Sequence, residues 1–241
     1  MTAATGNGAP TPEKAILGID LGGTKVLCAV VSADGSILSR SKRSTREHPE
    51  ASVLLKEIAA CAKEAVAAAG LELGDIRGAG MGVPGPLDTE TGIVKFAPNL
   101  GWHDVPAKQL LQEDLAIPVS IDNDVRVAMI AEHQLGAAKG AARAIGIFVG
   151  TGVGGGLVLE GQIYRGSHTQ AGEIGHMIVE AGGPPSSCGQ KGCIEAVASR
   201  TAITRDLKAA IDKGKKTILT KLAGKDLANL GSGELRKAID Q

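Results

Sequence analysis

The sequence is organised around Leu17-Gly18-Ile19-Asp20-Leu21-Gly22-Gly23-Thr24-Lys25, an apolar strand that runs into an acid, two glycines, a hydroxyl and a lysine. Glycines let backbone N–H groups approach a phosphate closely, and Thr24 and Lys25 can donate to its oxygens. Asp20 can hold a hydrated Mg²⁺. Taken alone, so short a run is better explained as a tight turn between two strands. It is not a Walker A loop, because a strand follows where that loop requires a helix.

The same pattern occurs a second time at Ile145–Gly152. The offset is 128 residues, since 146 minus 18 and 150 minus 22 both give that value. Each copy continues as an apolar strand, an acid-glycine turn (Asp34-Gly35 and Glu160-Gly161) and a third apolar segment. Two such strand-turn-strand-turn-strand units predict two similar halves, and two facing glycine turns could grip one polyphosphate between them.

Composition narrows the class of protein. The 241 residues are 43% hydrophobic and 22% charged, which suits one large domain or two small ones. The net charge of zero offers no basic footprint for nucleic acid or an anionic membrane. No stretch reaches transmembrane length without a charge or a glycine break. Four cysteines, with Cys28 and Cys61 in apolar contexts, indicate a reducing cytoplasm. Residues 1–14 are predicted to be a disordered leader.

Polar residues follow several predicted elements. A helix is predicted over Pro49–Ala69, and a buried strand over Arg77–Val83 leads into a stiff Gly/Pro loop. After a strand at Ile117–Ile121, Asp122-Asn123-Asp124 opens another helix. These residues can cap the helix, and a carboxylate at the end of a buried strand can also orient a substrate hydroxyl and accept its proton. Asn99 suits a sugar hydroxyl, although an Asn beside a Pro is more often a turn former.

The second glycine turn contains a literal G-x-G-x-x-G from Gly150 to Gly155, which is typical of dinucleotide-binding folds. That interpretation fails because Leu157–Leu159 reads as a strand and not as the required helix. Further on, His176, Cys188 and Cys193 are the residue types of a zinc site. Two unconnected thiols remain the alternative.

Five ordered motifs together resemble the ROK family of bacterial sugar kinases, and glucokinases in particular, over residues from about 15 to about 199. They are the Asp20 glycine turn, Asn123-Asp124, the Gly150 turn, Glu173-x-Gly-His176 and Cys188–Glu195. The resemblance implies an α/β, actin-like two-domain ATPase fold with ribonuclease-H-like halves. It also implies binding of ATP with Mg²⁺ between the halves and phosphorylation of a hexose, usually on its C6 hydroxyl. The halves are assigned to residues 15–122 and 123–241.

The resemblance also implies roles for individual residues. Asp124 matches the family's catalytic base. The residues that match its sugar contacts are Asn99, Asn123, Glu173, His176 and Glu195. The residues that match its phosphate-binding turns are Gly22, Gly23, Thr24, Lys25, Thr151 and Gly152, with Asp20 near the metal. The zinc ligands would be His176, Cys188 and Cys193, but Ser186 stands where the family usually has a further cysteine, so zinc would be held weakly or not at all.

Two other departures affect the expected function. Val125-Arg126 replaces the family's usual Ala-Asn, so Arg126 would place a cation near the sugar loop or reach solvent. Family members continue with a strand and a further glycine-rich turn, whereas the residues after 212 read as polar helical pieces, so the second domain is expected to be incomplete. A non-catalytic sugar-binding remnant is therefore an alternative to a working kinase. A sugar-sensing regulator without its DNA-binding domain is less favoured. The family relationship implies a homodimer or homotetramer.

Overall fold

The computed structural model describes residues 14–45, 50–228 and 230–240. The predicted leader lies outside this part of the chain except for Lys14, and so does Pro49 at the predicted start of the first helix. By its internal contacts the chain divides into a first unit that ends at Ala128 and a second unit that begins at Met129. The domain boundary predicted from the sequence, after residue 122, lies slightly before this division, near the start of the helix Asp124–Gln134.

The first unit contains the strands of two sheets. They are β1 (Ala15–Leu21), β2 (Lys25–Val31), β3 (Ile37–Ser44), β4 (Ile76–Val83), β5 (Leu87–Asp88), β6 (Ile93–Ala97), β7 (Trp102–Val105) and β8 (Val119–Asn123). The main sheet has the order β3-β2-β1-β4-β8, and a small antiparallel sheet has the order β5-β6-β7. β1 pairs with β4, and β4 with β8, in parallel, so the carboxyl ends of these three strands lie at one edge.

Three helices accompany these strands: α1 (Ala51–Ala68), α2 (Ala107–Leu115) and α3 (Asp124–Gln134). The boundary between the two units falls within α3. α1 confirms the predicted helix and buries Leu54, Ile58, Cys61 and Ala65 at helical spacing. Burial of this apolar face in the core that includes β1 and β2 fixes the sheet from which the candidate site projects. No helix in the described residues is both long enough and apolar enough to cross a bilayer.

The second unit repeats the first three strands. β9 (Arg143–Val149), β10 (Val153–Leu159) and β11 (Gln162–Tyr164) form an antiparallel sheet of order β11-β10-β9. This arrangement matches β1, β2 and β3 and confirms the predicted strand-turn-strand-turn-strand repeat. The helices that follow are α4 (Ile194–Ala198), α5 (Arg200–Asp212), α6 (Leu219–Ala223) and α7 (Ser232–Ile239).

The two copies differ in how they bury the same apolar positions. In β1, Leu17, Ile19 and Leu21 are 0%, 4% and 0% exposed. The residues 128 positions later in β9 are 68%, 63% and 60% exposed; they are Ile145, Ile147 and Val149. β1 lies between β2 and β4, whereas β9 is an edge strand of the sheet formed by the described residues. The repeat therefore preserves the hydrophobic pattern but not its burial.

The residues after α5 look polar in the sequence, but in the structure they include a small apolar core. Leu219, Ala223, Leu227 and Leu230 form a small buried cluster. Partly buried side chains of α5 and α7 pack against it, among them Leu207 and Leu235. The sequence hides this cluster because its members are spaced over one short helix, α6, and the loop that joins it to α7.

Candidate functional site

The carboxyl edge of the parallel strands brings three acids together. Asp20 in β1 lies opposite Gly82 in β4, and Gly82 lies opposite Asp122 in β8. Asp124 follows as the first residue of α3. A Cβ atom on Gly82 would lie 3.3 Å from the Cα atom of Asp124, so glycine allows α3 to begin close against β4. The sequence-predicted residues Asp20, Asn123 and Asp124 thus share one edge of the sheet.

Asp124 has the environment of a proton acceptor. Its side chain is half-buried, and Oδ1 accepts a hydrogen bond of 2.9 Å from the Val125 amide. Burial raises the pKa of the Asp124 carboxyl, and the negative charge of Asp20 raises it further. The hydrogen bond from Val125 and the charge of Arg126 oppose this rise. A carboxylate with a raised pKa is a better general base at neutral pH than an ordinary aspartate.

Asn123 holds the start of α3. Its Oδ1 atom accepts hydrogen bonds from the Val125 and Arg126 amides at 3.1 and 3.2 Å, which is helix capping. Its Nδ2 atom donates to the Gly85 carbonyl at 3.4 Å. The predicted sugar contact is therefore also the cap that orients Asp124.

Arg126 corrects a prediction from the sequence. Of the two alternatives, the one in which it reaches solvent is wrong, since Arg126 is only 3% exposed. Its Nε atom donates at 2.6 Å to Oδ1 of Asp122, four residues earlier in β8. The sequence shows the charge of Arg126 but not that the strand before it supplies a buried carboxylate at the right distance.

Hydrogen bonds within its own backbone and from Thr45, the residue after β3, close the first glycine turn. The Gly22 amide donates to the Lys25 carbonyl at 2.9 Å, and Thr45 Oγ1 donates to the Gly22 carbonyl at 3.2 Å. Thr24 and Lys25 remain exposed. A Cβ atom on Gly23 would lie 3.0 Å from Asn99 Cβ. The turn therefore packs against Asn99 and brings a predicted phosphate-binding segment beside a predicted sugar contact.

The second glycine turn is held by two residues that sequence reasoning missed. Arg200 donates from Nη2 to Thr151 Oγ1 at 2.8 Å, and Thr201 Oγ1 donates to the Thr151 carbonyl at 2.7 Å. Arg200 and Thr201 also line a cavity of about 570 Å³ together with Thr204 and Leu227. They lie far from Thr151 in the chain, so no local sequence signal could have assigned them to the turn.

Glu195 joins the same turn to the cysteine loop. Glu195 Oε2 accepts a hydrogen bond of 3.1 Å from the Val153 amide, and Oε1 accepts one of 2.6 Å from Ser187 Oγ. A Cβ atom on Gly152 would lie 2.3 Å from Glu195 Oε2, so a side chain there would displace the Glu195 carboxylate. The predicted sugar contact is thus fixed at the end of β9 and the start of β10.

Glu173 and His176 lie at either end of a short 3-10 turn, Ile174–His176. Their Oε2 and Nε2 atoms are 4.0 Å apart. The structure therefore brings together these two predicted residues of the second unit.

His176 also belongs to a group that fits a metal ion. The ligand atoms of His176, Cys188 and Cys193 all lie within 4.8 Å of one another, and the two sulfurs are 3.7 Å apart. His176 Nδ1 is buried and lacks a hydrogen-bond partner among the described residues. The Cys188 thiol donates to Ser186 Oγ at 3.4 Å, and hydrogen bonding to Ser186 lowers the pKa of Cys188. An orphaned imidazole nitrogen beside two thiols fits Zn²⁺ with three protein ligands.

Comparisons with known proteins identify the family to which the chain belongs. The family model described as ROK family matches residues 16–232. The chain belongs to the ROK family. A glucokinase of Halalkalibacterium halodurans is 36% identical over 204 residues, which cover 84% of this chain and 62% of that protein. A glucokinase of Thermotoga maritima is 37% identical over 217 residues, which cover 88% of this chain and 66% of that protein. The chain thus spans less than two thirds of the length of these relatives.

A solved ROK structure and a repressor extend the comparison. The crystal structure of a Streptomyces griseus ROK glucokinase in complex with glucose and AMPPNP has a TM-score of 0.81 and 32% identity, and the match covers 94% of this chain and 71% of that one. The actin-like α/β fold predicted from the sequence is thereby confirmed. A xylose repressor of Caldicellulosiruptor bescii is 30% identical over 199 residues, which cover 83% of this chain and 50% of the repressor. The family therefore includes both kinases and regulators similar to this chain.

Proposed function

We propose that the protein is an ATP-dependent hexose kinase that transfers the γ-phosphoryl group of ATP to the C6 hydroxyl of glucose or a related hexose. The observation that carries this proposal is Asp124, half-buried at the carboxyl edge of a parallel sheet with its pKa raised. Open α/β sheets bind ligands at that edge. The glucose and AMPPNP bound to the Streptomyces griseus relative support both substrates.

Asp124 is the base of this reaction. It accepts the proton of the sugar hydroxyl while the bond from that oxygen to the γ-phosphorus forms and the bond from the γ-phosphorus to ADP breaks. Its position is set by the Asn123 cap and by the close approach that Gly82 allows. The sugar would be oriented by the residues that the family resemblance names, which are Asn99, Asn123, Glu173, His176 and Glu195.

The phosphates would be bound by backbone and hydroxyl donors of the glycine turns. In the first unit these donors come from Gly22, Gly23 and Thr24, with the ammonium group of Lys25. In the second unit they come from Thr151 and Gly152, which Arg200 and Glu195 hold in place. Asp20, exposed at the end of β1, would bind Mg²⁺, which neutralises charge on the phosphates.

His176, Cys188 and Cys193 would hold a structural Zn²⁺. A bound zinc would cross-link the turn that carries Glu173 to the loop that carries Ser187. Ser186 is within reach of Cys188 but is a poor zinc ligand, so we expect weaker binding than at a site with four strong ligands.

The test is a coupled assay of ADP release with ATP, Mg²⁺ and a panel of hexoses, run on the whole chain and on Asp124→Asn and Asp124→Ala. We expect turnover with one hexose and a loss of about a thousandfold or more in kcat in both variants, with sugar binding retained. Turnover unchanged in Asp124→Asn would exclude Asp124 as the base.

Binding measurements made beside this assay separate the two alternative functions. A folded chain that binds a hexose in calorimetry but neither turns it over nor binds ATP with Mg²⁺ would be a sugar-binding remnant. A folded chain that binds a sugar without turnover, and whose sugar affinity responds to a protein or DNA partner, would instead resemble the xylose repressor relatives.

A further inference from the structure

A buried ion pair lies directly beside the candidate base. Asp122 and Arg126 are 7% and 3% exposed, and they flank Asn123 and Asp124 in the chain. A buried carboxylate is costly unless it is paired and hydrogen-bonded. Neither member of the pair is among the residues for which the family resemblance supplies a role.

The pair closes a ring of hydrogen bonds around Asp124. Asp122 Oδ1 accepts from Arg126 Nε at 2.6 Å and from the Asn123 amide at 2.7 Å. Asn123 Oδ1 in turn accepts from the amide of Arg126. The last residues of β8 and the first turn of α3 are thus tied together on both sides of Asp124. These bonds hold the backbone on either side of Asp124, and Asp124 Oδ1 itself accepts from the Val125 amide within the same turn.

The charges that face Asp124 come from three elements. Asp20 on β1 is negative, Arg126 on α3 is positive, β4 presents the uncharged Gly82, and Asp122 on β8 is paired with Arg126. Asp20 raises and Arg126 lowers the pKa of Asp124. Arg126 therefore compensates the carboxylates that gather at this edge of the sheet.

We propose that Arg126 is a positioning residue, which fixes the corner between β8 and α3 through Asp122 and so aims the Asp124 carboxylate. Its catalytic consequence rests on the proposed kinase function, whereas its effect on the corner does not. Residue 126 departs from the Asn that the family resemblance leads one to expect, so this device belongs to the present chain.

The experiment compares Arg126→Met, which removes the cation, with Arg126→Lys, which keeps it. The pKa of Asp124 is read in the folded protein by NMR titration of ¹³C-labelled aspartate carboxyls. We expect that pKa to rise in Arg126→Met and to rise less in Arg126→Lys. With the active enzyme, kcat should fall about ten- to a hundredfold in Arg126→Met, with little change in the KM for the sugar and partial recovery in Arg126→Lys.

Arg43→Met is the matched control, because Arg43 pairs with Glu57 and Glu64 in the same unit but on β3, at the opposite side of the main sheet from β8. It should leave both the pKa of Asp124 and kcat unchanged. A folded Arg126→Met protein with the wild-type pKa at Asp124 and only a lower Tm would overturn the proposal and leave Arg126 a purely structural residue. The pKa is measured without turnover, so an inactive chain would contradict the kinase function but not the role of Arg126.

Arg126→Met leaves Asp122 buried without its cation and can fail to fold. The double variant Asp122→Leu/Arg126→Met removes both charges and the acceptor of the Asn123 amide, and it avoids that cost. If the ring of hydrogen bonds aims Asp124, the Asn123 amide should exchange faster than in the wild type and kcat should stay low even where Tm recovers. Wild-type exchange and wild-type kcat in the double variant would refute the proposal.

Discussion

At the scale of single residues, the ionisation of Asp124 should make the rate of the proposed reaction depend on pH. Its pKa is raised, chiefly by burial and then by the charge of Asp20. A base must be ionised to accept a proton, so we expect kcat/KM to fall as pH falls through the pKa of Asp124. The acidic limb should lie above the pH range in which ordinary aspartates titrate. A rate profile that stays flat from neutral pH down to the pKa of a normal aspartate would contradict this.

The same raised pKa predicts an effect on stability. Because the folded state holds the Asp124 proton more tightly than the unfolded chain, this carboxyl favours folding at low pH, and that contribution is lost as pH rises through the folded pKa. At neutral pH its ionised form is a cost. Asp124→Asn should therefore have a higher Tm than the wild type at pH 7 while it loses activity.

Asp104 provides a control of opposite sign for that prediction. Lys95 holds the pKa of Asp104 below its usual range, so this carboxylate favours folding above the unfolded pKa and loses that effect as pH falls. Asp104→Asn should leave Tm at neutral pH unchanged or slightly lower. A Tm that falls in Asp124→Asn at neutral pH would contradict the prediction and show that the ionised carboxylate stabilises the fold.

At the scale of elements, the loop after β4 depends on one glycine. Gly85 has φ +90°, and a Cβ atom there would lie 2.1 Å from the Phe96 carbonyl oxygen. Gly35 has a similar φ of +87° with nothing within 4 Å of the same position. Gly85→Ala should thus destabilise by about 3 kcal/mol or more, against about 1 kcal/mol for Gly35→Ala, in denaturant unfolding. Equal losses would mean that β6 moves aside easily.

The cysteine loop offers a second test at this scale. Ser186 Oγ lies 3.4 Å from Cys188 Sγ, so a thiol at position 186 would be within reach of the proposed zinc. Ser186→Cys should raise zinc affinity by about tenfold or more, since a thiolate is a much stronger zinc ligand than a hydroxyl. Competition with a chromophoric chelator would measure it, with the exposed Ser36→Cys as control. Equal zinc affinity in Ser186→Cys and the wild type would argue against a metal at this loop.

The elements themselves were largely predictable, and the contacts between them were not. Apolar runs bounded by glycine and acid-glycine turns sufficed to predict β1, β2, β9 and β10, because those patterns are local. The burial of Arg126 depends on a carboxylate presented by a different element, and the bridge from Ser187 to Glu195 depends on how a loop folds back. Such pairings are set by tertiary packing, which one sequence does not record.

At the scale of the whole molecule, we expect β9 to mediate contacts between chains. Its exposed Ile145, Ile147 and Val149 lie on a strand that, among the described residues, is at the edge of the sheet β11-β10-β9. Exposed apolar edge strands favour pairing with other chains. We expect concentration-dependent self-association in sedimentation velocity, reduced by Ile147→Lys. Leu38→Lys, on the edge strand β3, is the control, since Leu38 is 48% exposed and the residues of β3 after it are polar. An unchanged association state in Ile147→Lys would place any homodimer or homotetramer contact elsewhere.

The pairing of Asp20, Gly82 and Asp122 on one level of the parallel sheet has a consequence for how this gene can vary in length. Side chains in a strand alternate between faces, so loss of a single residue inside β1, β4 or β8 would invert every later position of that strand and separate the acids. Insertions in the acid-glycine turn at Asp34-Gly35 would leave the three strands in phase. Length variation compatible with activity should therefore accumulate in that turn and be absent from the three strands, a pattern that a library of single-codon insertions and deletions would reveal.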